Sequence, residues 1–352
     1  MHLLAIGTRK GLWLATSRDR TSWEVRGPLL PMTEVYAVAI DPRRPRLLAG
    51  TTSSHFGPTV MTSDDLGETW EEPDHAPLSF PEDTALERVW QLALTDDPDV
   101  VYAGTQPSAL FRSEDGGRTY SLVRGLWEHP HRKDWGAGYG GQAVHTVLPD
   151  PTDSKRLTVA MSTGGVYRTT DGGESWEASN KGVKAYFLPD PYPEFGQCVH
   201  KVARHPSTPD RLYLQNHHGV YRSSDGGATW DSIADGLPSD FGFPIAVHPH
   251  DPEVVYNFPL VADGERFPPG GECAVYRSPD GGESWTALRT GLPDGFWTAV
   301  MRDAMCTDTA TPAGVYFGSR SGSVYASPDE GETWHRVVEH LPDVVCVRAA
   351  EV

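Results

Sequence analysis

The chain has 352 residues, with 48 Asp and Glu against 30 Lys and Arg and a formal net charge of −18, and a surface of that sign repels nucleic acid and anionic membrane alike. No apolar run approaches the ~20 residues of a membrane span, and MHLLAIGTRKGLWLATS lacks the basic start, long apolar middle and small-residue cleavage site of a secretory leader, so a cytoplasmic protein is expected. The four cysteines, Cys198, Cys273, Cys306 and Cys346, lie far apart with no Cys-x-x-Cys, which reads as free thiols rather than disulfides or metal ligands.

The first predicted elements are three short strands, LLAIGT, GLWLATS and SWEVRG, and from there the text repeats itself. A worn copy of the repeat, TSRDRTSW, ends at Trp23. TSDDLGETW follows at Trp70, RSEDGGRTY at Tyr120, RTTDGGESW at Trp176, RSSDGGATW at Trp230, RSPDGGESW at Trp285 and ASPDEGETW at Trp334. The steps between these aromatic positions run from 47 to 56 residues, a period that belongs to propeller blades rather than to short solenoid repeats. Within one period the pattern is VHKVARHP, RLYLQNH, GVYRSSDGG and ATWDSIA: four Val-, Tyr- and Trp-rich runs divided by Gly, Pro, Asp and His-Pro turns, hence a four-stranded antiparallel meander. After Trp334 only RVVEH and LPDVVCVRAAEV remain. The front of the chain therefore lacks a first strand and the back has one to spare, and VVCVRA is expected to pair beside LLAIGT. The expected fold is all-β: a seven-bladed β-propeller of four-stranded antiparallel blades in one domain, closed by that pairing.

In the repeated turn, Asp225 and its equivalents can accept backbone N–H bonds, Gly227 can take positive φ, and Trp230 brings a large ring to bury. These residues resemble the Asp-box, or bacterial neuraminidase repeat, over nearly the whole chain. The resemblance implies a propeller of the kind found in sialidases, glucan-hydrolysing enzymes, sortilin-type receptors and photosystem assembly factors, with the box on the face opposite the ligand site. It speaks to fold rather than chemistry.

Candidate site residues follow from the blade plan, which sends the loops joining fourth to first strands and second to third strands to one face of the central channel. His205, His248 and His250 fall in turns on the other face. On the channel face run two long loops, between Tyr120 and His145 and between Trp176 and His200; they contribute Trp135, Tyr192 and Glu194, and long connections of this kind serve as binding loops or cover neighbouring blades. Aligning the innermost strands on the turn that follows each places Tyr36, His145, His200, Phe243 and Asp303 in equivalent positions, with Gln91 or Trp90 in the second blade. An inner strand covered on both faces should be apolar, so His145, His200, Arg302 and Asp303 stand out as catalytic candidates. The second-to-third turns add Arg9 and Lys10, His55, Gln215, His217 and His218, and Arg320. His145, His200 and His217, with Asp303 or Glu194, have ligand types suited to a divalent transition metal, although their spacing is no metal motif.

Two function classes follow. One is a hydrolase or lyase acting on a small polar molecule or sugar, with His145 or His200 as base, Asp303 orienting it, and Arg302, Arg9 or Arg320 holding a carboxylate or oxyanion. The other is a non-catalytic binding or assembly module using the same face. A sialidase is disfavoured: the resemblance would require an Arg-Ile-Pro near the start, where the chain reads GTRKGLWLA, and a Tyr-Glu nucleophile pair that cannot be placed. Glucan-cleaving relatives use two carboxylates across a cleft and are usually two propellers long and secreted.

Overall fold

In each period of the sequence, the short apolar runs pair as an antiparallel meander, because no run can bury its own face and the turns return the chain at once. The structure, a computed structural model, describes every residue except 74, 82 and 138–140. The period quoted above becomes Val199–His205, Thr208–Asn216, Val220–Ser223 and Asp231–Ser232, hydrogen-bonded in that order. Three further four-stranded sheets repeat the plan, led by Arg88–Leu94, Val144–Pro149 and Phe241–Val247. A three-stranded sheet led by Thr33–Asp41 gains an isolated bridge, Thr62 to Glu71, where a fourth strand would lie. The remaining sheet has eight strands, because the meander led by Val300–Thr307 is linked by one parallel bridge, Asp303 to Cys346, to the meander led by Val344–Glu351.

That last meander joins the two ends of the chain. Val344–Glu351 pairs antiparallel with His2–Thr8 from His2 opposite Glu351 to Thr8 opposite Val344, and His2–Thr8 then pairs with Gly11–Ser17. The leading strands contact one another in cyclic order, and Val344–Glu351 touches Thr33–Asp41. Strands arranged this way enclose a central channel. Between neighbouring sheets lie large rings with essentially no exposed surface, among them Tyr167, Tyr213, Tyr256, Tyr316, Phe111, Phe258 and Phe317. Among the described residues no helix is long and apolar enough to cross a membrane.

The repeated turn is held as its residue types require. The Ser223 hydroxyl donates to Asp225 at 2.8 Å and accepts from the Gly227 N–H at 2.9 Å, while Asp225 accepts from the backbone and hydroxyl of Thr229 at 2.9 and 2.6 Å. Gly227 takes a φ of 92°. The Trp230 indole reaches back to the Ser179 carbonyl at 2.8 Å and the Trp285 indole to the Ile233 carbonyl at 2.9 Å, so these two boxes fasten their own hairpins and also bind the preceding blade. Even the worn copy keeps the device: Asp19 accepts from the N–H groups of Thr21 and Ser22, both at 2.9 Å. Substituting Ser223→Ala strips the buried Gly227 N–H of its acceptor, and an unsatisfied buried donor costs about 1–3 kcal/mol. Chemical denaturation should show that loss, with Ser224→Ala, on the exposed side of the same turn, close to neutral.

The leading strands share one irregularity that matters for function. Pairing with the second strand slips between Val35 and Ala37, Val89 and Gln91, Val144 and Thr146, Val199 and Lys201, Gly242 and Ile245, and Val300 and Met305; in the closing meander it slips between Gly7 and Thr8. A bulge inserts an extra residue and re-aims its side chain. The bulged residues are thus Tyr36, Trp90, His145, His200, the Phe243–Pro244 pair, the stretch from Met301 to Ala304, and Val345. In the second blade it is Trp90 that bulges, packing against Tyr36 at 4.9 Å, whereas Gln91 accepts from the Val147 N–H at 3.0 Å.

Candidate functional site

Two adjoining cavities open among the bulged residues. The larger, about 430 Å³, is bounded by Cys198, His200, His217, Phe241, Phe243, Asp263, Arg266 and Arg302, with Ser162, Thr163 and Phe187 at its rim. The smaller, about 220 Å³, is bounded by Arg9, Tyr36, Arg88, Trp90, Met301, Asp303, Arg320 and Val345. Phe243, Arg266 and Arg302 belong to both walls.

Five guanidinium groups face this space in a protein of net negative charge. Three are matched: Arg88 lies 3.0 Å from Glu34, Arg320 lies 2.9 Å from Asp343, and Arg9 stands between the two at 3.7 and 3.6 Å. Arg302 differs. It is only 7 % exposed, its Nε is buried without a hydrogen-bond partner among the described residues, and its guanidinium sits against aromatic faces, 5.1 Å from Trp90 and 5.7 Å from Phe243. Burial pulls its pKa down, partly opposed by Cys198 and Asp303. Arg266 also lies over Phe243, 5.4 Å from the ring centre, and donates its Nε to the Asp263 carbonyl at 2.8 Å. A buried cation without a partner is costly, and a ligand anion is the natural complement.

His200 is poised by its neighbours. A carbonyl can only accept, so the contact of Nδ1 with the Gly242 carbonyl at 2.5 Å places the proton there and leaves the Nε2 lone pair facing Cys198 Sγ at 3.7 Å. Burial and the nearby Arg302 hold its pKa well below the ordinary 6.5, so the ring is neutral at physiological pH. His217 is depressed as well, by burial and by His218. Burial raises the Cys198 thiol, with Arg302 acting in the opposite direction.

Of the residues singled out in the sequence, the structure brings His200, His217, Phe243 and Arg302 to the larger cavity and Arg9, Phe243, Arg302, Asp303 and Arg320 to the smaller one. Others lie elsewhere. His145 is 1 % exposed and lines neither cavity: Nε2 donates to the Val199 carbonyl at 2.9 Å and Nδ1 accepts from the Thr146 hydroxyl at 3.2 Å. It therefore does not group with His200 and His217; Cys198 does. Asp303 does not orient a histidine. Its carboxylate is held between Lys201 and Arg348, the latter at 3.1 Å. Gln215 is fully buried, donating to the carbonyls of Asn216 and Asp240 and accepting from Asn257. Trp135 is buried with its indole on the Tyr167 hydroxyl at 2.9 Å, so its loop covers a blade at that point. His55 and Tyr192 are exposed, and Glu194 offers its backbone carbonyl to Asn180.

Sequence reasoning missed Cys198, Arg88 and the Asp263–Arg266 pair. Cys198 stands just before the strand Val199–His205 and His200 is its bulged residue, so strand alternation does not bring them together; their closeness in sequence was the readable signal. The segment between Leu260 and Val275 is far longer than the other second-to-third connections, and that length pointed to a binding loop.

No family model matches the chain. Among curated proteins it is 26% identical over 257 residues to an oligoxyloglucan-reducing end-specific xyloglucanase of Emericella nidulans, covering 61% of this chain and 29% of that protein. To the xyloglucanase Xgh74A of Acetivibrio thermocellus it is 24% identical over 236 residues, covering 56% of this chain and 26% of the other. The chain thus spans less than a third of the length of these relatives. Among solved structures it superposes on a GH74 enzyme of Niastella koreensis with a TM-score of 0.61 at 17% identity, covering 96% of this chain and 55% of that one. YCF48 from Cyanidioschyzon merolae gives a TM-score of 0.57 at 16% identity, covering 88% and 86%. At these identities the solved structures speak for architecture alone, and together with the antiparallel sheets described above they make the chain a β-propeller similar to the GH74 xyloglucanases.

Proposed function

We propose that the chain is a single seven-bladed Asp-box propeller domain whose channel mouth takes a small polar molecule bearing a carboxylate, a sugar acid being the class that fits, and that it is a hydrolase-like protein toward that ligand. The observation that carries this reading is Arg302, a buried cation with an orphaned Nε on the wall shared by two cavities. Arg266 stands beside it, and the neutral His200 presents an unprotonated Nε2 to the same space, the arrangement of an anion holder next to a general base. The sugar class draws support from the likeness to proteins named as xyloglucanases. A two-carboxylate scheme fits less well, because among the described residues Asp263 and Asp303 are the only acids on the cavity walls and Asp303 is already engaged by Lys201 and Arg348.

A second reading, a non-catalytic binding module on the same face, is favoured by one feature. Tyr186, Phe187 and Tyr192 are 56, 48 and 52 % exposed on the loop that reaches the larger cavity, a platform suited to holding a partner.

Calorimetric titration with glucuronate, galacturonate and neutral glucose tests the anion. The parent should bind a uronate and not glucose, and Arg302→Met should weaken that binding by roughly ten- to hundredfold, the equivalent of losing hydrogen bonds to a charged group. The same variant should melt at an equal or higher temperature, since an unpaired buried charge has been removed. Equal uronate affinity in both proteins would refute the anion site. Turnover of nitrophenyl uronides by the parent, lost in His200→Gln, separates the hydrolase from the binding module.

A further inference from the structure

Cys198, His200 and His217 meet on one wall of the larger cavity, and one ligand atom from each, a sulfur and two ring nitrogens, lies within 4.8 Å of the others. Two segments supply them. Cys198 and His200 stand at the entry of the strand Val199–His205, and His217 follows the strand Thr208–Asn216. A backbone bond from the His217 N–H to the Cys198 carbonyl, 2.9 Å long, locks these segments together at the point where the donors sit.

The donor chemistry suits a borderline-soft divalent cation. The Gly242 carbonyl holds the Nδ1 proton of His200, the outer contact that metal-bound histidines commonly make, and this aims the Nε2 lone pair inward. Cys198 Sγ lies 3.7 Å from that nitrogen. Zinc bonds of about 2.3 Å to sulfur and about 2.0–2.1 Å to nitrogen at a tetrahedral angle put the two donors roughly 3.6 Å apart. The pair therefore stands at the spacing a tetrahedral ion needs, and the His217 ring makes no hydrogen bond among the described residues that would compete for its lone pair. Three protein donors with a cavity on the remaining side make an open site rather than a closed structural one.

We propose that Cys198, His200 and His217 form a three-ligand centre for a zinc-class divalent metal, with its fourth position open to the cavity that Arg302 flanks. The centre does not require the Arg302 anion site, but it engages the His200 Nε2 lone pair, so a metal-bound His200 would not serve as the general base of the proposed function. On binding, the Cys198 thiol releases a proton to solvent and the thiolate ligates the ion. No change of oxidation state is involved.

Cobalt(II) is the probe. Protein freed of metal by a chelator and titrated with cobalt(II) at neutral pH should develop a thiolate-to-cobalt charge-transfer band in the near ultraviolet and intense tetrahedral d–d bands in the visible, saturating at about one equivalent. Cys198→Ser should lose the charge-transfer band. His217→Ala, a change at a partly exposed position that the fold tolerates, should lower cobalt affinity by at least about tenfold. Zinc should displace cobalt and bleach the spectrum, and it should raise the melting temperature of the parent but not of the two variants. Arg302→Met should keep the cobalt spectrum, so failure of the anion reading leaves this result intact, and loss of the spectrum leaves uronate binding intact. Absence of the charge-transfer band in the parent, or its persistence in Cys198→Ser, would overturn the proposal.

Discussion

Asp303→Ala should destabilise the protein by about 3–5 kcal/mol, the cost of removing one member of a buried ion group and leaving the others uncompensated. Asp303 is 3 % exposed and holds two cations: Lys201, from the leading strand of another sheet, and Arg348, whose Nη2 lies 3.1 Å away on the C-terminal strand. Arg348 also donates to the Asp303 backbone carbonyl at 3.1 Å, beside the single parallel bridge that links the eight-stranded sheet. Burial alone would raise the Asp303 pKa, but Arg348 and Lys201 outweigh it and hold the carboxyl ionised. The clamp thus joins the strand that pairs with the N-terminus to strands far away in sequence. Guanidinium unfolding should show the midpoint of Asp303→Ala shifted well below the parent, and Lys201→Met in the same background should restore part of the loss by removing one stranded charge. A near-neutral Asp303→Ala would mean that the triad is solvated and contributes no closure.

Mild acid should weaken the fold well before the carboxylates titrate. His145 is buried, and desolvation, reinforced by the charges of Arg302 and Lys201, holds its pKa well below 6.5, against the raising effect of its bond to the Val199 carbonyl. The unfolded chain therefore binds the proton first. Stability attributable to this ring is fully present above pH 6.5 and is lost as pH falls from there toward the folded-state value, by about 1.4 kcal/mol for each unit of depression. His129 and His205 shift in the same direction, mainly through burial, and add to the slope. Unfolding free energies measured from pH 7.5 to pH 5 should decline, and His145→Gln should flatten the curve. A separate loss belongs to the box aspartates. The hydroxyl and N–H of Thr69 hold Asp65 down at about 2, so that phase begins only below the ordinary carboxyl value of 3.8. A pH-independent stability between 7.5 and 5 would contradict the histidine assignment.

Much of the architecture was legible because it is local and repeated. The serine, aspartate, glycine and tryptophan of each box satisfy one another within a few residues, so the same chemistry written at a regular period announces the same hairpin each time. The missing first strand and the spare last one foretold the pairing of His2–Thr8 with Val344–Glu351 for the same reason: an unpaired edge must be covered. The bulges that turn Tyr36, Trp90, His145 and His200 off the regular pleat left a weaker trace, polar and aromatic residues in strands that should have been uniformly apolar.

What the tertiary structure alone decided is which of those side chains share a space. His145 and His200 occupy equivalent places in adjoining blades, yet one is closed off by Val199 and Thr146 while the other faces a cavity with Cys198 and His217. Asp303 and Arg302 are neighbours in sequence, but one is neutralised by partners from two other strands and the other makes no ion pair among the described residues. Periodicity determines the repeated backbone because its bonds are short-range; the fate of a buried charge or imidazole depends on distant groups that a closed ring brings within a few ångströms, and no spacing along the chain encodes that.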